Sequence, residues 1–160
     1  MSRQNLIAGA IAVVIVVAAV ASILYSTKDN KVQLTGELLR VRTHVVDPEN
    51  TVLVADIRVA NPSTQQFVVQ DVEVFVDDLK GDVFSESDAQ QLFNYYPVLG
   101  KKYNPNLMVR QKINSGQSID RMVTVRLGAK DEKIQQRKAL RIVITDVDGA
   151  KTEILETKKS

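Results

Sequence analysis

The apolar positions of this chain follow three rhythms. The first is unbroken. Leu6–Tyr25 reads LIAGAIAVVIVVAAVASILY, with one hydroxyl and no charge. As a helix it would span roughly 30 Å, the thickness of a hydrocarbon core. The β-branched run Val13–Val17 would weaken a helix in water, but in lipid the backbone must satisfy its own hydrogen bonds. The pattern predicts a transmembrane helix over 6–25. A flank (1–5) precedes it, a polar linker (26–31, STKDNK) follows, and a domain occupies 32–160.

The second rhythm is alternation, the mark of half-buried strands. In Leu38–Val46, Leu39, Val41 and Val45 are expected to face inward, with Arg40, Arg42 and His44 outward. Gly36 is a candidate bulge position, and Asp47-Pro48-Glu49-Asn50 is a turn. In the next strand Leu53, Ala55, Ile57 and Val59 face the core, and Asp56 and Arg58 face out. If these two strands pair, paired positions must sum to an even number, or one strand would turn its polar face inward. A sum near 98 would set Arg42 opposite Asp56. Asn61-Pro62-Ser63 ends the second strand. Phe67–Val76 is the third, with Val68, Val72, Val74 and Val76 on one side. Its other side holds Phe67, Val69 and Phe75, which is too apolar for open solvent. Leu107–Ile113 and Ile119–Leu127 flank a hairpin signal at Asn114–Gln117. Leu140–Thr145 reads as a central buried strand. Asp148-Gly149 reads as a two-residue hairpin turn, with Ile154 and Leu155 packing in the strand that follows.

The third rhythm is helical and brief. Over Ser85–Tyr96, Leu92, Phe93 and Tyr96 share one helical face. Ser87 is expected to cap it, and Pro97 stops it. This helix is expected to cover the outer face of the third strand, pairing two apolar surfaces that lack partners. The fold class is therefore mainly β: an antiparallel sandwich of immunoglobulin or fibronectin III type, with about seven strands and one inserted helix near 85–97. The Cys–Trp–Cys signature of immunoglobulin domains is absent, which favours the fibronectin-like variant.

Composition narrows the function. The chain has 160 residues, 21 basic against 19 acidic groups and no Cys. It therefore has no broad basic field for nucleic acid, no disulfide, no thiolate metal site and no Cys for a lipid. Its single His, His44, excludes any site built on two imidazoles. Ala19-Val20-Ala21 resembles a cleavage site, but the apolar run continues past it through Tyr25. An uncleaved signal-anchor is favoured over a signal peptide. Positive charge is nearly balanced across the span, between Arg3 and Lys28 with Lys31. The short flank places the C-terminal domain outside the cytoplasm, on a periplasmic or extracellular face.

Val54–Asp77 reads VADIRVANPSTQQFVVQDVEVFVD, and Ile113–Val125 reads INSGQSIDRMVTV. These stretches resemble the water-stress and hypersensitive-response domain of late-embryogenesis-abundant proteins. The resemblance covers about half of the part beyond the anchor. It implies a small β-sandwich with one helix, no catalytic residues, and roles in stress protection and binding.

The chemistry-bearing residues form no recognisable motif. His44 lies beside Arg42 without a Ser or Asp at triad spacing. Asp146–Gly149 fails as a calcium loop, because Ile144 and Leu155 fall where ligands are needed. Asp77 and Asp78 are adjacent and should point to opposite faces. The possible interaction surface is Phe75, Phe93, Tyr95, Tyr96, Lys101, Lys102 and Tyr103, a mixture of aromatics and cations suited to a protein partner or anionic head groups. The expected protein is a monomeric, membrane-anchored, extracytoplasmic and non-catalytic module for protein or envelope binding. It has no cofactor, no metal and no nucleic-acid partner, and the bilayer is met through 6–25. A stress-protective domain is the alternative. A small hydrolase is a third reading that the residue inventory argues against.

Overall fold

The computed structural model describes residues 32–156. The transmembrane expectation at 6–25 lies outside them, and among the described residues no helix is long and apolar enough to cross a membrane. The elements are β1 (Thr35–Asp47), β2 (Asn50–Ala60), β3 (Phe67–Val76), β4 (Leu79–Lys80), β5 (Asp82–Val83), α1 (Glu86–Tyr95), a 3-10 turn (Pro97–Leu99), β6 (Lys112–Ile113), β7 (Ser118–Leu127), α2 (Asp131–Gln135), β8 (Leu140–Asp146) and β9 (Lys151–Leu155). The strands build two antiparallel sheets. One is ordered β1-β2-β7-β5 and the other β4-β3-β8-β9, with β6 also pairing β3. Apart from β6, strands met in the order β1, β2, β7, β5 against β3, β8, β9 follow the arrangement of immunoglobulin-type sandwiches.

The core lies between the sheets. Leu53, Ala55, Ile57 and Val59 of β2 and Val123 and Val125 of β7 meet Val72, Val74 and Val76 of β3 and Ile142 and Ile144 of β8. These positions alternate along each strand, so one face of each sheet is dry. β8 sits between β3 and β9, and its apolar run is buried as its pattern requires.

Of three register shifts in β1 and β3, two move side chains off their expected faces; the third lies at the end of β1, between Val45 and Asp47. β1 pairs β2 with positions summing to 95 from Thr35 to Leu38 and to 96 from Arg40 to Val45. The sum is even over the centre of the strand, as expected, but it is not 98. Arg42 stands opposite Val54, two residues from Asp56. The extra residue is Leu39, which is exposed rather than inward, as is Val45 on this edge strand. The bulge is therefore not at Gly36. That glycine is instead demanded by close approach, because a Cβ there would fall 2.3 Å from Cγ1 of Ile154. The second bulge lies in β3, between Val69 and Asp71. It lets Phe67 and Val69 enter the same core as Val72 and Val74. Of Phe67, Val69 and Phe75, only Phe75 stays on the outer face of β3, half-buried, with the guanidinium of Arg141 4.7 Å from its ring centroid.

Three further expectations are corrected. Leu107–Ile113 is not one arm of a hairpin. Only Lys112 and Ile113 form a strand, on β3, while β7 pairs β2 in the other sheet. The polar turn at Asn114–Gln117 therefore crosses between sheets. The final hairpin closes through Val147-Asp148-Gly149, with the Asp146 N–H donating to Ala150 at 2.8 Å and only Gly149 at positive φ. Leu155 is exposed, and Ile154 does the packing.

Asn61 shows what the Asn-Pro turn does. Its buried side chain donates to the carbonyls of Gln65 at 2.7 Å and Ile113 at 2.9 Å, and it accepts the Ser63 N–H at 3.1 Å. Its own N–H donates to Gln117, and its carbonyl accepts from Gly116. One amide thus ties the β2–β3 loop to the turn before β7. Asn61→Ala strands buried carbonyls and should lower stability by about 2–3 kcal/mol. A lower urea midpoint at unchanged slope would show this.

Candidate functional site

The helical insertion between β5 and Asn106 forms the candidate site. Ser85, not Ser87, caps α1: its Oγ accepts the Asp88 N–H at 3.2 Å and donates to the Asp88 carboxylate at 2.7 Å. Glu86 and Asp88 put negative charge in the first turn, where the helix dipole favours it. Pro97 ends α1 by opening the 3-10 turn, and Gly100, at φ 78°, ends that in turn.

The insertion is strapped at both ends. The Phe84 N–H donates to the Thr124 carbonyl at 2.8 Å, and Leu107 N–H to Met122 at 2.7 Å. Between them, buried Asn106 donates to the Phe84 carbonyl at 3.3 Å and accepts the Thr124 hydroxyl at 3.1 Å. Glu86 then joins the two ends of the segment. One of its oxygens accepts the Asn106 N–H at 2.7 Å, and the other meets the Lys102 ammonium. Burial pushes the Glu86 carboxyl up, but the Lys102 ammonium and the Asn106 N–H outweigh it. The group titrates below its ordinary value near 4.5.

α1 does not cover β3. Its apolar face holds Phe93 and, less deeply, Leu92 and Tyr96, and the 3-10 turn adds Leu99. All of them pack on Val52, Val54 and Met122, the outer face of the other sheet. Phe93 and Phe75 therefore lie on different sheets. The helical face was correctly expected and its landing place was not, because the β3 bulge had already taken Phe67 and Val69 into the core.

A charge lies buried under this cover. The Arg42 Nη2 donates to both oxygens of Asp56, at 3.0 and 3.1 Å. The Nη1 donates to the carbonyls of Leu99 at 2.7 Å and Lys101 at 3.2 Å. The guanidinium carbon sits 5.4 Å from the Phe93 ring centroid. Both side chains of the pair are nine-tenths buried. Asp56 is thus not solvent-facing as expected. Nor is His44 freely solvated: its ring lies 4.8 Å from that of Tyr96.

The structure divides the expected interaction surface. Phe75 belongs to the far sheet, Phe93 is interior, Tyr96 is against His44, and Lys102 is engaged by Glu86. Tyr95 (80% exposed), Val98 (73%), Lys101 and Tyr103 (63%) remain outward on the insertion. No acidic residue occurs from Ala89 to Ile119. Sequence reasoning brought Arg42 and Asp56 together but on an open face, and it missed Glu86 and Asn106. One signal was available: Val52 and Val54 make β2 apolar on its second face as well, as in strands covered on both sides. The outward groups are ring faces, an aliphatic side chain and one ammonium, which suit non-covalent contact. Asp146 and Asp77 are structural acceptors. Asp146 takes the Val68 N–H at 2.6 Å, and Asp77 takes those of Lys138 and Ala139 at 2.9 Å. Among the described residues no cluster of three metal-ligating side chains occurs.

No family model and no curated protein matches this chain. Among solved structures, a Bacillus subtilis protein provisionally described as a lipoprotein is similar, with a TM-score of 0.52 and 12% identity over 82% of this chain. The match covers 39% of that protein, so this chain spans about two fifths of its length. An uncharacterised β-sandwich protein of Clostridium difficile matches over 80% of this chain and 82% of its own, at 12% identity and a TM-score of 0.33. The first likeness shows the fold alone, and the second carries no part of the argument.

Two outcomes test the strapping. Arg42→Ala leaves Asp56 buried without its partner and should cost about 3–5 kcal/mol. Arg42→Ala with Asp56→Ala should cost less than the sum of the two single changes, read by denaturant unfolding. For Glu86, a carboxyl lowered by folding stabilises fully above its unfolded value and loses that contribution as pH falls through its folded value. Stability should therefore drop as pH falls below about 4.5, and Glu86→Gln should flatten that drop in melts across pH.

Proposed function

We propose that this protein is a membrane-anchored, extracytoplasmic binding module that performs no catalysis, and that the insertion is its contact surface. The observation that carries this reading is the contrast within the insertion itself. A buried Arg42–Asp56 pair and a Glu86 bridge hold the segment, yet Tyr95, Val98 and Tyr103 project into solvent. A rigid scaffold presenting exposed aromatic side chains reduces the entropy lost on binding, and tyrosines supply contact area with few rotors. The anchor rests on the apolar run at 6–25. The similar Bacillus protein, described as a lipoprotein, supports a place at a membrane surface. This chain carries no Cys to take a lipid, so the apolar run would supply the attachment.

The resemblance to the water-stress domain supports the alternative, protection exerted by the surface without a fixed partner. The two readings separate in one experiment. Full-length chain is crosslinked in its own membranes, alongside a variant with Tyr95, Val98 and Tyr103 changed to Ser. The binding module should give a discrete crosslinked partner that the triple variant loses, while both proteins stay in the membrane fraction and melt alike. Identical crosslinking patterns from the two proteins would overturn the assignment of the insertion as the contact surface.

A further inference from the structure

Among the described residues β1 is paired on one side only. It is an edge strand of thirteen residues, and β2 takes its other side. Over Gly36–Val41 its free edge forms one wall of an open groove of about 500 Å³, whose other wall is Arg137, Leu155 and Glu156. An unpaired edge of this kind is a template for a further strand. Two apolar side chains sit in the groove half-exposed, Leu39 at 42% and Leu155 at 57%. Arg137 is committed to Glu156, at 2.6 and 2.8 Å. Arg40 also lines the groove; it is exposed and has no ion-pair partner among the described residues.

The bulge decides which occupant fits. Without it, Glu37 and Arg40, three apart, would point to opposite faces of the sheet. With it, Glu37 stands opposite Arg58 and Arg40 opposite Asp56, two even positions of β2 that share the outer face. Glu37 and Arg40 therefore lie on the same face of the same free edge, with opposite charge. An antiparallel copy of this edge, laid with its two-fold axis between Leu38 and Leu39, sets each Glu37 opposite the Arg40 of the other chain. It sets Gly36 opposite Val41, both on the core side, and sets each exposed Leu39 opposite the Leu38 of the other chain at the centre. Direct cross-strand charge pairs of opposite sign are favourable and like charges are not. This complementarity belongs to the strand paired with itself, and a foreign strand would need to reproduce it.

We propose that the occupant of this edge is a second copy of the chain, joined β1 to β1 in a two-fold arrangement that continues the β1-β2-β7-β5 sheet across both protomers. A C2 interface of this kind is isologous, so each residue change acts twice.

The test is sedimentation of the purified full-length chain in detergent, over a range of concentrations, with three variants. The native chain should dimerise. Arg40→Glu and Glu37→Arg should each weaken the dimer by about tenfold or more, since each brings two like-charge pairs together. The double variant Glu37→Arg with Arg40→Glu exchanges the charges and should restore dimerisation. Both side chains are exposed, so each variant should keep the native circular dichroism spectrum. A monomer at every concentration would overturn the proposal. So would a dimer indifferent to these charges, as association through the apolar run would give, and so would a foreign strand found on this edge in place of a second copy.

Discussion

One guanidinium organises the outer half of this protein. Arg42 leaves β1 on the face away from the sandwich core. It meets the Asp56 carboxylate, two carbonyls of the segment after α1, and the ring of Phe93. Burying that charge is tolerable only because its partners converge on it, and removing one of them would leave the other charge uncompensated in a dry site. The constraint fixes the insertion. For Leu99 and Lys101 to reach Arg42, α1 must end where Pro97 ends it, and Phe93 must point at Val52 and Val54. The Asn106–Thr124 and Glu86–Lys102 contacts close the remaining freedom.

The β1-β2-β7-β5 sheet is consequently covered on its inner face and, around Val52, Val54 and Met122, on its outer face as well. Its inner face carries the sandwich core and its outer face a smaller cluster of Val52, Val54, Met122, Phe93 and Leu99. Immobilising the insertion against a covered sheet places Tyr95, Val98 and Tyr103 on a stiff base. The free edge of the same sheet carries the Glu37, Arg40 and Leu39 arrangement. The proposed contact surface and the proposed self-association edge thus share one sheet, while the β4-β3-β8-β9 sheet contributes mainly its inner face to the core. Its outer face is closed by small local devices, such as Arg141 over Phe75 and the Lys80–Glu73 pair.

Sequence by itself determined a good deal, wherever a residue's role depends on near neighbours. Alternation in β2, β3 and β7 follows from the two-residue repeat of a strand, and β8 showed itself by an apolar run, so the sandwich and its core valines and isoleucines were legible. The face of α1 followed from helical spacing, and its end from Pro97. Asn-Pro at 61–62 marked the end of β2, although the buried hydrogen bonds of Asn61 across to Ile113 could not be read from the turn. Tertiary structure alone decided the rest. A bulge inserts one residue without any required sequence signature, and it reverses every facing beyond it. Leu39, Phe67 and Val69 were misplaced for that reason. Which sheet α1 covers depends on groups far apart in the chain, Arg42 with Leu99 and Asn106 with Thr124. Lys102 looked like a surface group until the fold brought Glu86 to it. Charge and apolarity are written in the sequence, but burial is a property of what arrives from elsewhere.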